Sequence, residues 1–135
     1  MVSAPSVVLL VDVANVMGSR PDGWWRDRAG AATRLMSEIA PLAGAEVRGP
    51  DEVLLRVSRV LAVLEGRARD AEAPEGVEAV RATADGDSTV AALAADLVDA
   101  GERVLVVTAD RGLRASLPPQ ALVAGPRWLL DGPAG

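Results

Sequence analysis

The sequence predicts an α/β fold of three layers (α/β/α), with a mostly parallel central sheet between two layers of helices. Two apolar runs, residues 7–11 and 104–107, are rich in Val and Leu, as buried parallel strands are. Between them apolar residues recur at helical spacing, so strands and helices alternate along the chain. The length suits one domain, which we expect to span residues 1–135.

The first third of the chain is predicted to form a strand, a long loop and a helix. Residues 6–12 are the strand, and residues 14–26 are interpreted as a loop of a length that is often functional. Asp27 is placed to cap the helix, which Pro41 and Gly44 end. The helical spacing comes from Ala32, Leu35, Met36 and Ile39.

The middle of the chain is predicted to add two strands. Residues 45–58 fit no single element, although Gly49 begins a Gly-Pro turn. Residues 59–64 resemble a buried strand that ends at Glu65. A surface connection rich in Ala, Glu and Pro follows, and residues 77–83 are a short third strand.

The last third is predicted to contain a helix and two more strands. Asp87 is placed to cap the helix, and Gly101 ends it. Residues 103–108 are the fourth strand, a short helix follows Asp110, and residues 121–124 are an edge strand. The apolar face of the long helix consists of Val90, Leu93, Ala94, Leu97 and Val98.

The composition removes several kinds of chemistry. The chain has no His, Cys, Lys or Tyr, and all 14 basic residues are Arg. Ser-His triads, Cys nucleophiles, Schiff bases and zinc sites built on Cys or His are therefore excluded. Carboxylates, hydroxyls, Asn and Arg remain, and clustered carboxylates favour hard cations such as Mg²⁺ or Mn²⁺.

Charge and hydropathy suggest a location and limit the partners. A net charge of −5 counts against broad, non-specific binding of nucleic acid, which usually needs a basic surface. Glu38 lies one helical turn past Arg34, and we expect an exposed ion pair. No apolar run approaches the roughly 20 residues of a membrane span, and no basic segment precedes residues 7–13. We expect a cytoplasmic protein, with which the lack of cysteine is compatible.

Four acids are predicted to meet at one edge of the sheet. Asp12, Glu65 and Asp110 come at the ends of strands, and Asp87 begins a helix that follows a strand. Ligands of open α/β sheets bind at this edge. Carboxylates gathered there would repel one another unless a cation or proton intervened, so the pattern predicts a metal site. The structural alternatives are helix caps for Asp87 and Asp110, an Asx turn for Asp12 and a solvated Glu65.

Polar residues beside these acids are candidate supporting groups. Asn15 could brace its loop or bind a metal-bound water. Asp85 could support the site or only form a turn. Ser88 and Thr108 can donate hydrogen bonds to acids or phosphate, although such residues are commonly structural.

A second group of residues could contact substrate. Trp24 and Trp25 could stack on bases if exposed, or could cover the core. Arg20, Arg26 and Arg111 could guide a phosphate backbone, because Arg makes bidentate contacts with phosphate, or could simply be solvated.

Three stretches of the chain resemble the PIN-like nuclease superfamily, and especially its NYN branch. They are Val-Asp-Val-Ala-Asn-Val at residues 11–16, Asp-Ser-Thr-Val at 87–90 and Val-Val-Thr-Ala-Asp-Arg-Gly-Leu at 106–113. Their order and spacing match the family over nearly the whole chain. The Thr-Ala-Asp-Arg-Gly-Leu part is the most specific.

The resemblance implies a three-layer fold, a divalent metal and hydrolysis of RNA phosphodiesters. It makes Asp12, Asp87 and Asp110 metal ligands, directly or through water, with Asn15 in support. The chain departs from the family pattern twice. Many relatives have a second acid where Ser88 stands, and the acid from a helix in the middle of the fold has no clear counterpart.

These observations lead to a metal-dependent ribonuclease acting on single-stranded RNA, with Mg²⁺ or Mn²⁺ as cofactor. Two alternatives remain open. The first is a nucleotide pyrophosphohydrolase or another hydrolase of small phosphate esters. The second is a non-catalytic PIN-like module that binds RNA or a protein. A homodimer is also considered, and no membrane association is expected.

Overall fold

The structure, a computed structural model, describes residues 4–133. In this part of the chain, six strands form one sheet with the order β2-β3-β1-β5-β6, and β4 pairs with β3. The strands are β1 (Ser6–Asp12), β2 (Glu46–Arg48), β3 (Leu54–Leu64), β4 (Val77–Arg81), β5 (Val104–Val107) and β6 (Leu122–Ala124). The α-helices are α1 (Val13–Gly18), α2 (Arg28–Ile39), α3 (Gly86–Asp99), α4 (Arg111–Ser116) and α5 (Pro126–Leu130). Short 3-10 turns occupy Trp24–Arg26, Ala40–Leu42 and Gly66–Asp70.

Parallel pairing dominates the sheet. Strand β1 lies between β3 and β5 and is parallel to both, and the pairs β3–β4 and β5–β6 are parallel as well. Strand β2 is antiparallel to β3. The carboxyl ends of the five parallel strands therefore reach the same edge of the sheet.

The core lies on both faces of this sheet, which confirms the predicted three-layer α/β fold. Along β1, Val7, Leu9 and Val11 belong to the cluster packed against α1, α2 and α5. Val8 and Leu10 belong to the opposite cluster, packed against α3 and α4. Successive side chains of a strand point to opposite faces, so a strand covered on both sides is apolar throughout.

Strand β3 is longer than the predicted 59–64. The stretch that fitted no single element, residues 45–58, forms β2 and the first part of β3, which pair as a hairpin. This stretch did not resemble a buried strand in the sequence, because the first half of β3 alternates between buried and exposed positions. The second half is continuously apolar and was therefore predicted. A register shift places Ser58 outside the β1–β3 pairing, and its hydroxyl donates to the Val7 carbonyl at 3.1 Å.

The predicted loop over 14–26 is wrong in its first part, because α1 begins directly after β1. Asp12 caps α1, and its carboxylate accepts a hydrogen bond from the Asn15 N–H at 3.4 Å. The buried residues Val13, Val16 and Met17 form the inner face of α1. Six residues span fewer than two turns, too few for a helical period to stand out in the sequence.

The start of α3 corrects a second prediction. Asp85, and not Asp87, is the N-cap: its Oδ1 accepts from the Ser88 N–H at 2.7 Å. Asp87 lies inside the first turn. The cap of α2 is Asp27, as predicted, and Gly101, with a φ of 86°, follows the end of α3.

Several strand and helix ends differ from the predictions by one or two residues, which is the usual scatter of element boundaries. The predicted strands 77–83, 103–108 and 121–124 run over Val77–Arg81, Val104–Val107 and Leu122–Ala124, and the first predicted helix ends at Ile39. Over residues 4–133, no helix has the length and apolar character required to cross a bilayer.

Candidate active site

The topology brings the four predicted acids to the carboxyl edge of the sheet. Asp12 is the last residue of β1 and pairs in register with Val63, two residues before Glu65. Asp110 follows β5, the other neighbour of β1. Asp87 lies in the first turn of α3, which begins shortly after β4 ends. The proximity of these acids is reflected in their electrostatics, since Glu65 and Asp87 both raise the pKa of Asp12.

Asp12 is the buried centre of this edge. Its side chain is 3% exposed, and its Oδ2 accepts a hydrogen bond from the Thr108 hydroxyl at 2.9 Å. Burial raises the pKa of Asp12, and the hydrogen bonds from Thr108 and Asn15 oppose that rise. Repulsion by Asp87 and Glu65 adds to the increase. Burial is therefore the main cause and like-charge repulsion the lesser one.

Thr108 links the end of β1 to the segment that follows β5. Besides donating to Asp12, its hydroxyl accepts from the Asp110 N–H at 3.1 Å. Arg114 donates to the Thr108 carbonyl from Nε at 3.0 Å and from Nη2 at 2.8 Å. Asn15 Oδ1 accepts from the Ala109 N–H at 2.7 Å. Thr108 and Asn15, both predicted as supporting residues, thus fix the backbone around Asp12.

Arg114 is a positioning residue that the sequence reasoning missed. It lies on α4, four residues past Asp110, so one helical turn separates them. That spacing was a usable signal. The spacing alone did not identify a contact with Thr108, because the sequence of so short a helix does not show that α4 folds back toward the end of β5.

Asp110 and Asp87 present their carboxylates differently. Asp110 caps α4 through Oδ1, which accepts from the Leu113 N–H at 2.9 Å. Asp87 caps nothing. Its pKa is raised by partial desolvation first, and then by repulsion from Asp110, Glu65 and Asp85.

Glu65 and Asp85 hold the start of α3. Glu65 is half-buried rather than solvated, and its Oε2 accepts from the Gly86 N–H at 2.5 Å. A Cβ at position 86 would lie 3.0 Å from that carboxylate, so glycine permits the approach. Hydrogen bonds from the N–H and then the hydroxyl of Ser88 lower the pKa of Asp85. The N–H and the hydroxyl of Ser88 therefore both donate to the Asp85 carboxylate, the N-cap of α3.

No arginine forms an ion pair with these acids among residues 4–133. The ion pairs found there join Arg20 to Glu38, Arg48 to Glu52 and Arg59 to Glu78. In the same part of the chain, no group of three or more acids is arranged to hold a metal ion. The edge therefore offers uncompensated carboxylate oxygens without a preformed cage. Mg²⁺ commonly binds in this way, through one or two carboxylates with several waters retained.

The predicted substrate-binding arginines have different environments. Arg20 donates to both carboxylate oxygens of Glu38, at 2.9 and 2.5 Å, and so holds down the pKa of Glu38. The expected pairing of Glu38 with Arg34 is therefore replaced by one across 18 residues. Arg111, the first residue of α4, is exposed beside Asp110.

The two tryptophans differ in exposure, so each of the two predicted alternatives, covering the core and being exposed, applies to one of them. Trp24 packs against the core, whereas Trp25 is 53% exposed. Their rings meet edge to face with centroids 5.9 Å apart. The guanidinium of Arg28 lies 5.1 Å from the centre of the Trp24 ring, and that of Arg26 lies 5.8 Å from the Trp25 ring.

Comparison with known proteins identifies a shared fold. No protein-family model and no curated protein sequence matches the chain. Among solved structures, the chain is similar to Rae1 (YacP) from Bacillus subtilis, with a TM-score of 0.65 and 22% sequence identity. The similarity covers 93% of this chain and 73% of Rae1.

Proposed function

We propose that this protein is a metal-dependent ribonuclease that hydrolyses phosphodiester bonds of single-stranded RNA. The observation that carries the proposal is the carboxylate of Asp12, which is buried at the carboxyl edge of the central strand, near Asp87 and Glu65, and has no cationic partner among residues 4–133. The three motifs that resemble PIN-like nucleases contain Asp12, Asp87 and Asp110.

The donor chemistry of this edge fits Mg²⁺ or Mn²⁺. Hard divalent cations prefer carboxylate oxygen and water, and the chain has no His or Cys that would favour zinc. Because no three acids among residues 4–133 form a preformed cage, one or two of Asp12, Asp87 and Asp110 would hold the ion directly and the remainder through bound water. When bound, such an ion activates a water molecule and stabilises charge on the phosphate during transfer.

The residues of the chain have complementary tasks in this proposal. The Thr108 hydroxyl and the Asn15 N–H orient the two carboxylate oxygens of Asp12. Asp110 uses Oδ1 for its cap, which leaves Oδ2 for the ion. Arg111, exposed beside Asp110, supplies positive charge for a phosphate oxygen. Water activated by the ion is the attacking group in this proposal, since Ser and Thr are the only usual side-chain nucleophiles that the chain contains.

Cleavage of an unstructured RNA tests the proposal. Wild-type protein should cleave it with Mg²⁺ or Mn²⁺ and should stop when chelator is added. Asp110→Asn should reduce the rate by at least about 100-fold, because stabilisation of the transition-state charge by a bound metal ion contributes several kcal/mol. Asp99→Asn makes the same change at the far end of α3 and should leave the rate unaltered.

Other outcomes would replace the proposal. If the protein cleaves no RNA but hydrolyses nucleoside triphosphates in an Asp110-dependent way, it is a hydrolase of small phosphate esters. If it does neither, and Mn²⁺ does not raise its melting temperature, it is a non-catalytic module. Ser88 at the position of a second acid would then be a physical reason for weak metal binding.

A further inference from the structure

A groove with an aromatic and basic lining lies beside the acidic edge. It runs between the 3-10 turn that precedes α2 and the 3-10 turn that follows β3, and its volume is about 570 Å³. Ligand sites in proteins commonly measure about 300–1,000 Å³. We call it the tryptophan groove, and its principal lining residues are Trp25, Arg26, Arg28, Ala29, Gly66 and Arg67.

The tryptophan groove leads toward the acids. A second cavity of about 370 Å³ shares Arg28 and Gly66 with it and extends to Glu65 and to Ala14 of α1. Glu65 accepts the hydrogen bond from Gly86 at the start of α3, one residue before Asp87. A chain lying in the groove would therefore continue onto the acidic edge.

The lining carries both chemistries that single-stranded nucleic acid requires. Trp25 is an exposed ring on a rigid support, since it meets Trp24 edge to face and Trp24 packs on the core. Such a ring can stack on any base. Arg26, Arg28 and Arg67 provide positive charge for the phosphates.

The acids of the groove offset part of this charge, and one positive charge remains in excess. Asp27 and Asp70 also line the groove, and the Asp27 carboxylate accepts the Gly30 N–H at 2.9 Å as the cap of α2. The lining thus carries three arginines and two aspartates in a chain whose net charge is −5. A net positive lining on an acidic protein favours a polyanion at this place.

We propose that the tryptophan groove binds single-stranded RNA, with a base stacked on Trp25 and phosphates against Arg26, Arg28 and Arg67, and directs the strand to the acidic edge. The identity of the ligand as substrate rests on the function proposed above. A single strand is favoured over a duplex because duplex bases are already stacked on one another and do not offer a free face.

Binding is measured without catalysis, by fluorescence anisotropy of a labelled ten-nucleotide oligouridylate in the presence of chelator. Trp25→Ala should weaken binding about tenfold, in the range found for one stacked base, and Trp25→Phe should restore most of the affinity. Arg26→Gln and Arg67→Gln should each lower the salt slope by about 0.7, the value for one phosphate contact on a single strand. Arg103→Gln removes the same charge before β5, at the opposite end of the sheet, and should leave the slope unchanged.

The proposal is overturned if Trp25→Ala, with an unchanged melting temperature, binds the oligonucleotide as the wild type does. Equal affinity for a duplex of the same length would overturn it as well.

Failure here is distinguishable from failure of the proposed function. If the wild type binds through Trp25 but cleaves nothing, the binding groove is supported and the nuclease proposal is rejected. If the wild type cleaves RNA and Trp25→Ala alters neither binding nor cleavage, the nuclease proposal stands and the groove falls.

Discussion

At the scale of single residues, Asp12 is the most unusual feature of the molecule. A buried carboxylate normally has an arginine or lysine beside it, yet within residues 4–133 the hydrogen-bond donors to the Asp12 carboxylate are the neutral Thr108 hydroxyl and the Asn15 N–H. Two neighbouring acids oppose its ionisation further. Such a group destabilises the fold when charged and is suited to a bound cation, which would remove both penalties.

Asp12→Asn tests this energetic interpretation. The pKa of Asp12 is raised, so the folded state holds its proton more tightly than the unfolded chain does. Its contribution to stability is therefore largest below the ordinary aspartate pKa of about 3.9 and falls as the pH rises to the raised value. Above that pH, in chelator, Asp12→Asn should melt at the same temperature as the wild type or higher.

The measurement is the difference in melting temperature between wild type and Asp12→Asn from pH 4 to pH 8. The difference should change in favour of the variant as the pH rises, and Mn²⁺ should stabilise the wild type only. A difference that is constant with pH would show that the ionisation of Asp12 is not coupled to folding.

At the scale of elements, helix capping and the candidate site use the same acids. Asp12 caps α1 and Asp110 caps α4, and both helices begin at the carboxyl edge of the sheet. In the sequence, a helix cap was the alternative to a shared site for Asp110, and an Asx turn was the alternative for Asp12. They coexist because the Asp110 cap uses one carboxylate oxygen, while Asp12 and Asp110 both remain at the edge. Asp87 has no capping task, since Asp85 caps α3.

Asp85 and Asp87 form a matched pair for testing that division. Asp85→Ala leaves the Ser88 N–H without its partner and should lower the melting temperature by about 3–5 °C. Asp85→Asn retains an oxygen that can accept this hydrogen bond and should therefore melt close to the wild-type temperature. Asp87→Ala removes a carboxylate that its neighbours repel and should not destabilise the protein. Thermal unfolding in chelator measures all three variants. A larger loss for Asp87→Ala than for Asp85→Ala would make Asp87 the structural residue.

At the scale of the whole molecule, β1 organises the two halves of the core. It lies in the middle of the sheet and contributes alternate side chains to the clusters on either face. Leu9 and Leu10 are both fully buried, but on opposite sides. The candidate site lies at the end of this strand, so the packing of β1 on both faces fixes the position of Asp12.

Leu9→Ala and Leu10→Ala should each cost about 2–5 kcal/mol of unfolding free energy. Because the two side chains pack in different clusters, their effects should be nearly additive. Leu54→Ala, at a position that is 46% exposed, should change stability by no more than about 0.5 kcal/mol. Urea denaturation gives the values. Strong non-additivity, or an equal cost at Leu54, would contradict the separation of the core into two faces.

The sequence by itself determined the buried parallel strands, apart from the first part of β3, together with the longer helices and the edge at which the acids lie. A buried parallel strand is a continuous apolar run, and a long amphipathic helix has a period of 3.6, so both can be read locally. Asp12 directly follows such a run and Asp110 comes three residues after one, and parallel pairing then places them at the same edge. The cap of α2 at Asp27 could be predicted for the same reason, because its partner is only three residues away.

Only the tertiary structure decided which groups meet. The Thr108 hydroxyl contacts an acid 96 residues away, and Arg20 pairs with a glutamate 18 residues away rather than leaving Glu38 to Arg34. The division of the tryptophan pair into a partly buried Trp24, packed on the core, and an exposed Trp25 also depends on how α2 packs. These contacts follow from strand order, register and helix packing, which are properties of the folded chain and leave no local pattern in the sequence.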